Sequence, residues 1–108
     1  MRAICLKFPQ ATEQVQWGDD LVFKVCRKMF AVARLDSSGN VLAFKCGPEE
    51  FAMLIEREGI IPAPYLARAH WVSVETFDIL SAAELIRRLR QSYDLVVAGI
   101  PKKRRPIQ

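Results

Sequence analysis

The sequence predicts an α+β domain in which helices lie against an antiparallel β-sheet. Three runs rich in strand formers, residues 21–26, 28–35 and 41–46, follow one another across short turns. Neighbours so close in the chain must pair antiparallel, because parallel strands need a crossover of about a dozen residues or more. Two further segments, beginning at Pro48 and Ala82, combine helix-start signals with apolar residues at helical spacing. The chain has 108 residues, 51% of them hydrophobic and 26% charged, which suits one core, since single cores divide only beyond roughly 250 residues. At this size neither a disulfide nor a metal is required. No uninterrupted apolar run, Phe51 to Ile55 included, exceeds five residues, against about 18 for a membrane span. The first residues lack the apolar stretch and cleavage site of a secretory leader. The expected location is therefore the cytoplasm, with no membrane partner.

Residues 1–8 read as a short helix with Ile4, Cys5 and Phe8 on its apolar face, stopped by Pro9. Gln10 to Gln16 reads as a polar connection, and Trp17-Gly18-Asp19-Asp20 as a turn. The strands 21–26 and 28–35 leave room only for a tight turn around Arg27. Asp36-Ser37-Ser38-Gly39-Asn40 is a second turn, so the three strands form a meander. Period two pairs Phe23 with Val25, Phe30 with Val32 and Leu42 with Phe44 on common faces, and Lys24, Arg34 and Lys45 mark solvated positions. Gly47-Pro48-Glu49-Glu50 starts a helix, with proline at its first position and acids in its first turn, and Gly59 ends it. Residues 60–70, with two prolines, read as a structured loop containing a short turn of helix. Residues 71–75 alternate as a further strand. The last helix runs from Ala82 to about Tyr93, with Ser81 as N-cap, Glu84 as its capping-box partner, and Leu80 with Leu85 as a hydrophobic staple. Ile86, Leu89 and Tyr93 face the core, and Glu84 stands four residues before Arg88 in the favourable order.

The net charge is +4, and Lys102, Lys103, Arg104 and Arg105 supply four positive charges, which leaves residues 1–101 neutral. The chain divides accordingly into one domain, 1–101, and a basic C-terminal tail, 102–108, readable as a solvated terminus or as a basic arm on DNA. Cys5, Cys26 and Cys46 are odd in number and widely spaced, so no disulfide framework is expected, and each reads as a small buried hydrophobe. No two of the five glycines are closer than eight residues, which excludes the Gly-x-Gly fingerprint and the Walker loop. Zinc would need Cys5, Cys26, Cys46 and His70 to converge without one close-spaced pair. His70 is the single histidine, and no nucleophile stands beside it in sequence. The acidic pairs Asp19-Asp20 and Glu49-Glu50 have a turn and a helix start to explain them. No catalytic residue, metal or cofactor is expected, and the protein reads as a non-enzyme. Tyr65, Arg68, His70 and Trp71 fall within seven residues, a cluster that either fills the core or lines a groove for a ligand or protein partner.

Phe8-Pro9, Trp17-Gly18, Val22-Phe23-Lys24-Val25, Lys28-Met29-Phe30-Ala31, Pro62-Ala63-Pro64-Tyr65-Leu66-Ala67-Arg68, Trp71-Val72, Ser92-Tyr93-Asp94-Leu95-Val96 and Ile100-Pro101-Lys102-Lys103 stand in this order. As a set they resemble the MmcQ/YjbR-like family over nearly the whole chain. The resemblance implies a frataxin-like (CyaY-like) fold, an antiparallel sheet with helices packed on one side. It also implies a double-wing DNA-binding protein whose wings are β-hairpin loops flanking a helical element. Carried over, the turn at Arg27 and Lys28 and the loop from Asp36 to Asn40 are the wings, with Lys24, Arg34 and Lys45 on the adjoining strands. Family members often have glycine near Arg27, where this chain has a cation, and its second loop has no basic residue. With Arg68 and the tail residues Lys102, Lys103, Arg104 and Arg105, these are the expected DNA contacts, made mainly to phosphates. The frataxin-like fold raises iron binding too, yet residues 1–8 contain no acid and Asp19-Asp20 is too small a cluster. The alternative expectation is a protein-interaction or small-ligand module in which Tyr65, Arg68, His70 and Trp71 line a groove.

Overall fold

The computed structural model describes residues 2–18, 20–34, 41–64 and 66–105. Its elements are α1 (Arg2–Leu6), β1 (Ala11–Gln16), β2 (Asp20–Val25), β3 (Lys28–Arg34), β4 (Leu42–Lys45), α2 (Pro48–Leu54), β5 (Ile60–Pro62), β6 (Trp71–Val74) and α3 (Ala82–Ala98). The strands form one antiparallel sheet in the order β1-β2-β3-β4-β6-β5. The helices pack on one side of it, over a core that includes Phe23, Phe30, Phe44, Val72, Leu89 and Tyr93. Among the described residues no helix is long and apolar enough to cross a membrane.

The expected meander is β2-β3-β4, but the sheet has two strands more than the sequence pattern suggests. β1 comes from the supposed polar connection 10–16. It is an edge strand, and its Glu13 is tied to Arg2 of α1 at 2.6 Å rather than buried, so its alternation contains few apolar residues. β5 comes from the proline-containing segment 60–70 and forms the other edge, where Pro62 loses nothing by lacking an N–H. α2 stops at Leu54, short of Gly59, and turns fill the interval.

A bulge decides which residues enter the core. Phe23 pairs with Ala31 and Lys24 with Met29, so Phe30 is an extra residue in β3. Phe30 and Ala31 are both buried against the helices, whereas Met29 and Val32 line the opposite side. The expected sharing of one face by Phe30 and Val32 is thereby corrected: the inserted residue breaks the period of two. Phe30 gains an aromatic cluster, with ring centroids 5.8 Å from Phe8, 6.4 Å from Phe23 and 5.3 Å from Tyr93, the last edge-on.

Beyond the Ala31–Phe44 pair, β3 and β4 part, and a helix side chain bridges them. The Lys45 N–H donates to Ser92 Oγ at 2.9 Å, and the Ser92 hydroxyl donates to the Phe30 carbonyl at 2.6 Å. One buried hydroxyl of α3 thus substitutes for a ladder bond.

Ser81 caps α3 as expected, accepting from the Glu84 N–H at 3.1 Å. The Glu84 carboxylate, however, does not return to the cap among the described residues. It accepts from Arg57 at 2.6 Å, while Arg57 also donates to the Ile79 carbonyl at 2.8 Å. That hydrogen bond, with the nearby positive charge of Arg57 and Arg88, holds the Glu84 carboxyl below its ordinary range. α3 runs to Ala98, past Tyr93, because Val96 and Val97 continue its buried stripe. Ile86 is 49% exposed rather than in the core; at this end of the helix Leu85 makes the contact instead.

Candidate nucleic-acid interface

The β2–β3 turn consists of two residues, since Val25 pairs with Lys28. Cys26 and Arg27 both take left-handed backbone angles, φ +49° and +69°, as a tight turn matched to strand twist requires. Asparagine and glycine usually occupy such positions, and side-chain-bearing residues cost about 1–2 kcal/mol each there. The turn therefore holds Arg27 at its tip, with Lys28 beside it, both exposed.

The other half comes from beyond α3. Ile100 is buried, and Lys102–Arg104 form a 3-10 turn. Arg105 folds back, its Nε donating to the Ile100 carbonyl at 2.8 Å and its Nη2 to the Ala98 carbonyl at 3.0 Å. A cation is favoured at this carbonyl end of the helix. The Cys26 thiol then donates to the Arg104 carbonyl at 3.0 Å, a contact between positions 78 apart. It brings Lys102, Lys103 and Arg104 to the hairpin end that carries Arg27 and Lys28. Neither residues 21–34 nor 95–105 contain an acid, so the two segments that meet here carry only positively charged side chains. Residues 102–105 are a docked turn rather than a loose arm, and 106–108 lie outside the described residues.

The remaining expected contacts are dispersed. Lys24, Arg34 and Lys45 lie on the sheet face away from the helices, the first with its Nζ donating to Gln14 Oε1 at 3.4 Å. Arg34 Nε stands 3.7 Å from Asp20, and Lys45 Nζ donates to the Ala69 carbonyl. Arg68 is exposed on a separate 3-10 turn, Ala67–Ala69. The second wing loop, Asp36 to Asn40, lies outside the described residues, as does Tyr65. Nor do the other aromatic-cluster residues share a groove: His70 packs its ring on Phe51 at 5.5 Å, Trp71 is buried, and Arg68 points to solvent.

Cys26 is the residue that sequence reasoning misplaces. Cys5 and Cys46 are buried as expected, and burial pushes their thiols up to about 12 and about 11. Cys26 is half-exposed at the turn, and nothing in an apolar strand sequence signals that its partner is a distant carbonyl. Iodoacetamide is expected to label Cys26 alone in the folded protein, and Cys5 and Cys46 only on unfolding. Mass spectrometry of proteolytic peptides reads this directly, and labelling of Cys5 or Cys46 in the fold would contradict the burial described.

A model of the YjbR family matches residues 6–95. The crystal structure of a Deinococcus radiodurans protein with a DUF419 domain is similar, with 30% identity, a TM-score of 0.82, and coverage of 95% of this chain and 80% of that one. A Pseudomonas syringae protein, solved as a structural-genomics target, shares the fold at 21% identity and a TM-score of 0.66, covering 86% of this chain and 92% of its own. No curated protein matches.

Proposed function

The chain belongs to the YjbR family, and starting from that membership we propose that it is a non-enzymatic DNA-binding protein that grips the phosphate backbone through its basic end. The observation that carries the reading is the joining of Arg27 and Lys28 to Lys102, Lys103 and Arg104 by the Cys26–Arg104 contact. Five cations on two docked turns, without an acid in either segment, suit a polyanion better than a single small anion. The left-handed turn adds support, because backbone strain of this kind concentrates where a structure is shaped for binding. Dispersed Lys24, Arg34, Lys45 and Arg68 are secondary contacts at most in this reading. Contacts to phosphate position a protein without reading sequence, so binding is general rather than site-specific. We place this activity in the cytoplasm, where thiols such as that of Cys26 stay reduced.

The test is fluorescence anisotropy with a random-sequence duplex over a series of salt concentrations. Wild type is expected to bind with a steep salt dependence. Arg27→Ala with Lys28→Ala lowers the log–log slope by about 1.8, two phosphates at roughly 0.9 each. Truncation after Pro101 lowers it further. Absence of binding at low salt, or an unchanged slope in the double variant, would overturn the proposal.

A further inference from the structure

The two edges of the sheet differ in how they are protected. β5 is three residues long and contains Pro62, two of the devices that keep an edge from recruiting another strand. β1 has six residues, none of them proline or lysine, and holds one unbroken register with β2. Its single charge, Glu13, is already neutralised by Arg2 at 2.6 Å. The Ala11 N–H donates to the Phe8 carbonyl at 3.1 Å instead of to β2. Antiparallel neighbours alternate between pairs that exchange both backbone bonds and pairs that exchange neither. Glu13 and Val15, in step with Ala11, therefore turn their N–H and C=O groups away from β2. Period two puts the Val15 side chain on the helix side of the sheet, with Glu13 and its partner Phe23. Val15 is nevertheless 56% exposed, so the helices leave that end of β1 uncovered.

We propose that β1 pairs antiparallel with β1 of a second copy of this chain, about a two-fold axis at Gln14, so that the two sheets join into one. Symmetry and chemistry select this register. Side chains that meet across a seam must lie on the same face, which leaves pairings that differ by two residues. With the axis at Glu13, two acids stand opposite one another, which is unfavourable, and Ala11 has already committed its N–H to Phe8. With the axis at Val15, Glu13 falls opposite Trp17, which has left the strand for the turn at φ +52°. With the axis at Gln14, Glu13 of each copy meets Val15 of the other, and both pairs exchange backbone bonds. The Glu13 stem then covers Val15, and the Arg2–Glu13 pairs of the two copies flank the axis with alternating charge. A second copy suits the edge better than an unrelated strand because the two outward residues, one acidic and one apolar, complement their own reversed order. Since β5 is blunted, the pairing closes at two copies instead of growing into a filament. It uses no residue of the basic end and stands apart from the DNA-binding reading.

A seam of one six-residue strand is smaller than the roughly 1,200–2,000 Å² of a standard interface, and the expected dissociation constant is on the order of 0.1 mM. The experiment is sedimentation equilibrium of the full chain, free of nucleic acid, from about 10 µM to about 1 mM, a range that brackets this constant. The mass is expected to rise from monomer to dimer. Over the same range, amide exchange at Glu13 and Val15 slows, while exchange at Gln14, already bonded to β2, does not change. Val15→Pro deletes an outward N–H and keeps the ladder with β2, since proline is tolerated where an edge N–H faces solvent. Val15→Asp keeps the backbone and sets an acid against Glu13 of the second copy. Each is expected to weaken the dimer about tenfold or more, the effect of 1.4 kcal/mol or above. Should Val15→Pro not fold, Val15→Asp decides by itself, because its side chain is exposed in the single copy. A monomer at the highest concentration would overturn the proposal, whatever other strand the edge accepts. So would a dimer indifferent to Val15→Asp, or exchange at Glu13 and Val15 that ignores concentration.

Discussion

Phe30→Ala is expected to remove about 3–5 kcal/mol of stability, a large share of the roughly 5–15 kcal/mol available to a domain. The ring is fully buried and touches Phe8, Phe23 and Tyr93, which come from the α1–β1 connection, β2 and α3. Its removal opens a cavity at the one point where these elements meet. Because Phe30 is the extra residue of a bulge, its neighbours are fixed by a local register and cannot slide to close the gap. Urea unfolding followed by circular dichroism checks this, with a lowered midpoint at unchanged slope as the signature of lost native stability. A loss below about 1 kcal/mol would mean that β3 re-registers and the bulge is not fixed.

Ser92→Ala is expected to cost roughly 2–4 kcal/mol, although it deletes a single oxygen. The hydroxyl serves two main-chain groups, the Lys45 N–H and the Phe30 carbonyl, at 2.9 and 2.6 Å. Alanine strands both, and each buried unpaired polar group carries a desolvation cost of about 1–3 kcal/mol. Amide exchange at Lys45 should accelerate well beyond the change at Phe44, its neighbour inside the ladder. If Lys45 exchange is unaltered, the two strands have closed on one another and the serine is dispensable. Ser92→Thr, which keeps the hydroxyl, separates the lost hydrogen bonds from the effect of volume.

These two residues also show where the sequence is informative. Strand formers and turn residues locate β2, β3, β4 and β6, and the Ser81 cap locates α3, because each signal is local. The face on which Phe30 lies is set by a bulge that no pattern of period two contains. β1 is invisible for a related reason: an edge strand need not be apolar, so Thr12, Gln14 and Gln16 read as a connection. Of the expected DNA contacts, clusters of positive charge are legible at Arg27-Lys28 and Lys102 to Arg105. Their meeting depends on a tertiary contact of Cys26. Of the aromatic cluster, the described residues diverge because neighbours along a turn and a strand face different ways: Arg68 is exposed, His70 packs on Phe51, and Trp71 is buried.

The contact that unites the basic end closes a ring of 78 positions. Closing a loop of that length costs the chain about 4.5 kcal/mol of entropy. A weak thiol donor returns no more than about 1 kcal/mol. The thiol is therefore not what draws the termini of the ring together; the sheet and α3 do so, and Cys26 only fixes the final alignment. Assembly of this surface is accordingly cooperative with global folding. The surface is therefore lost whenever the core unfolds.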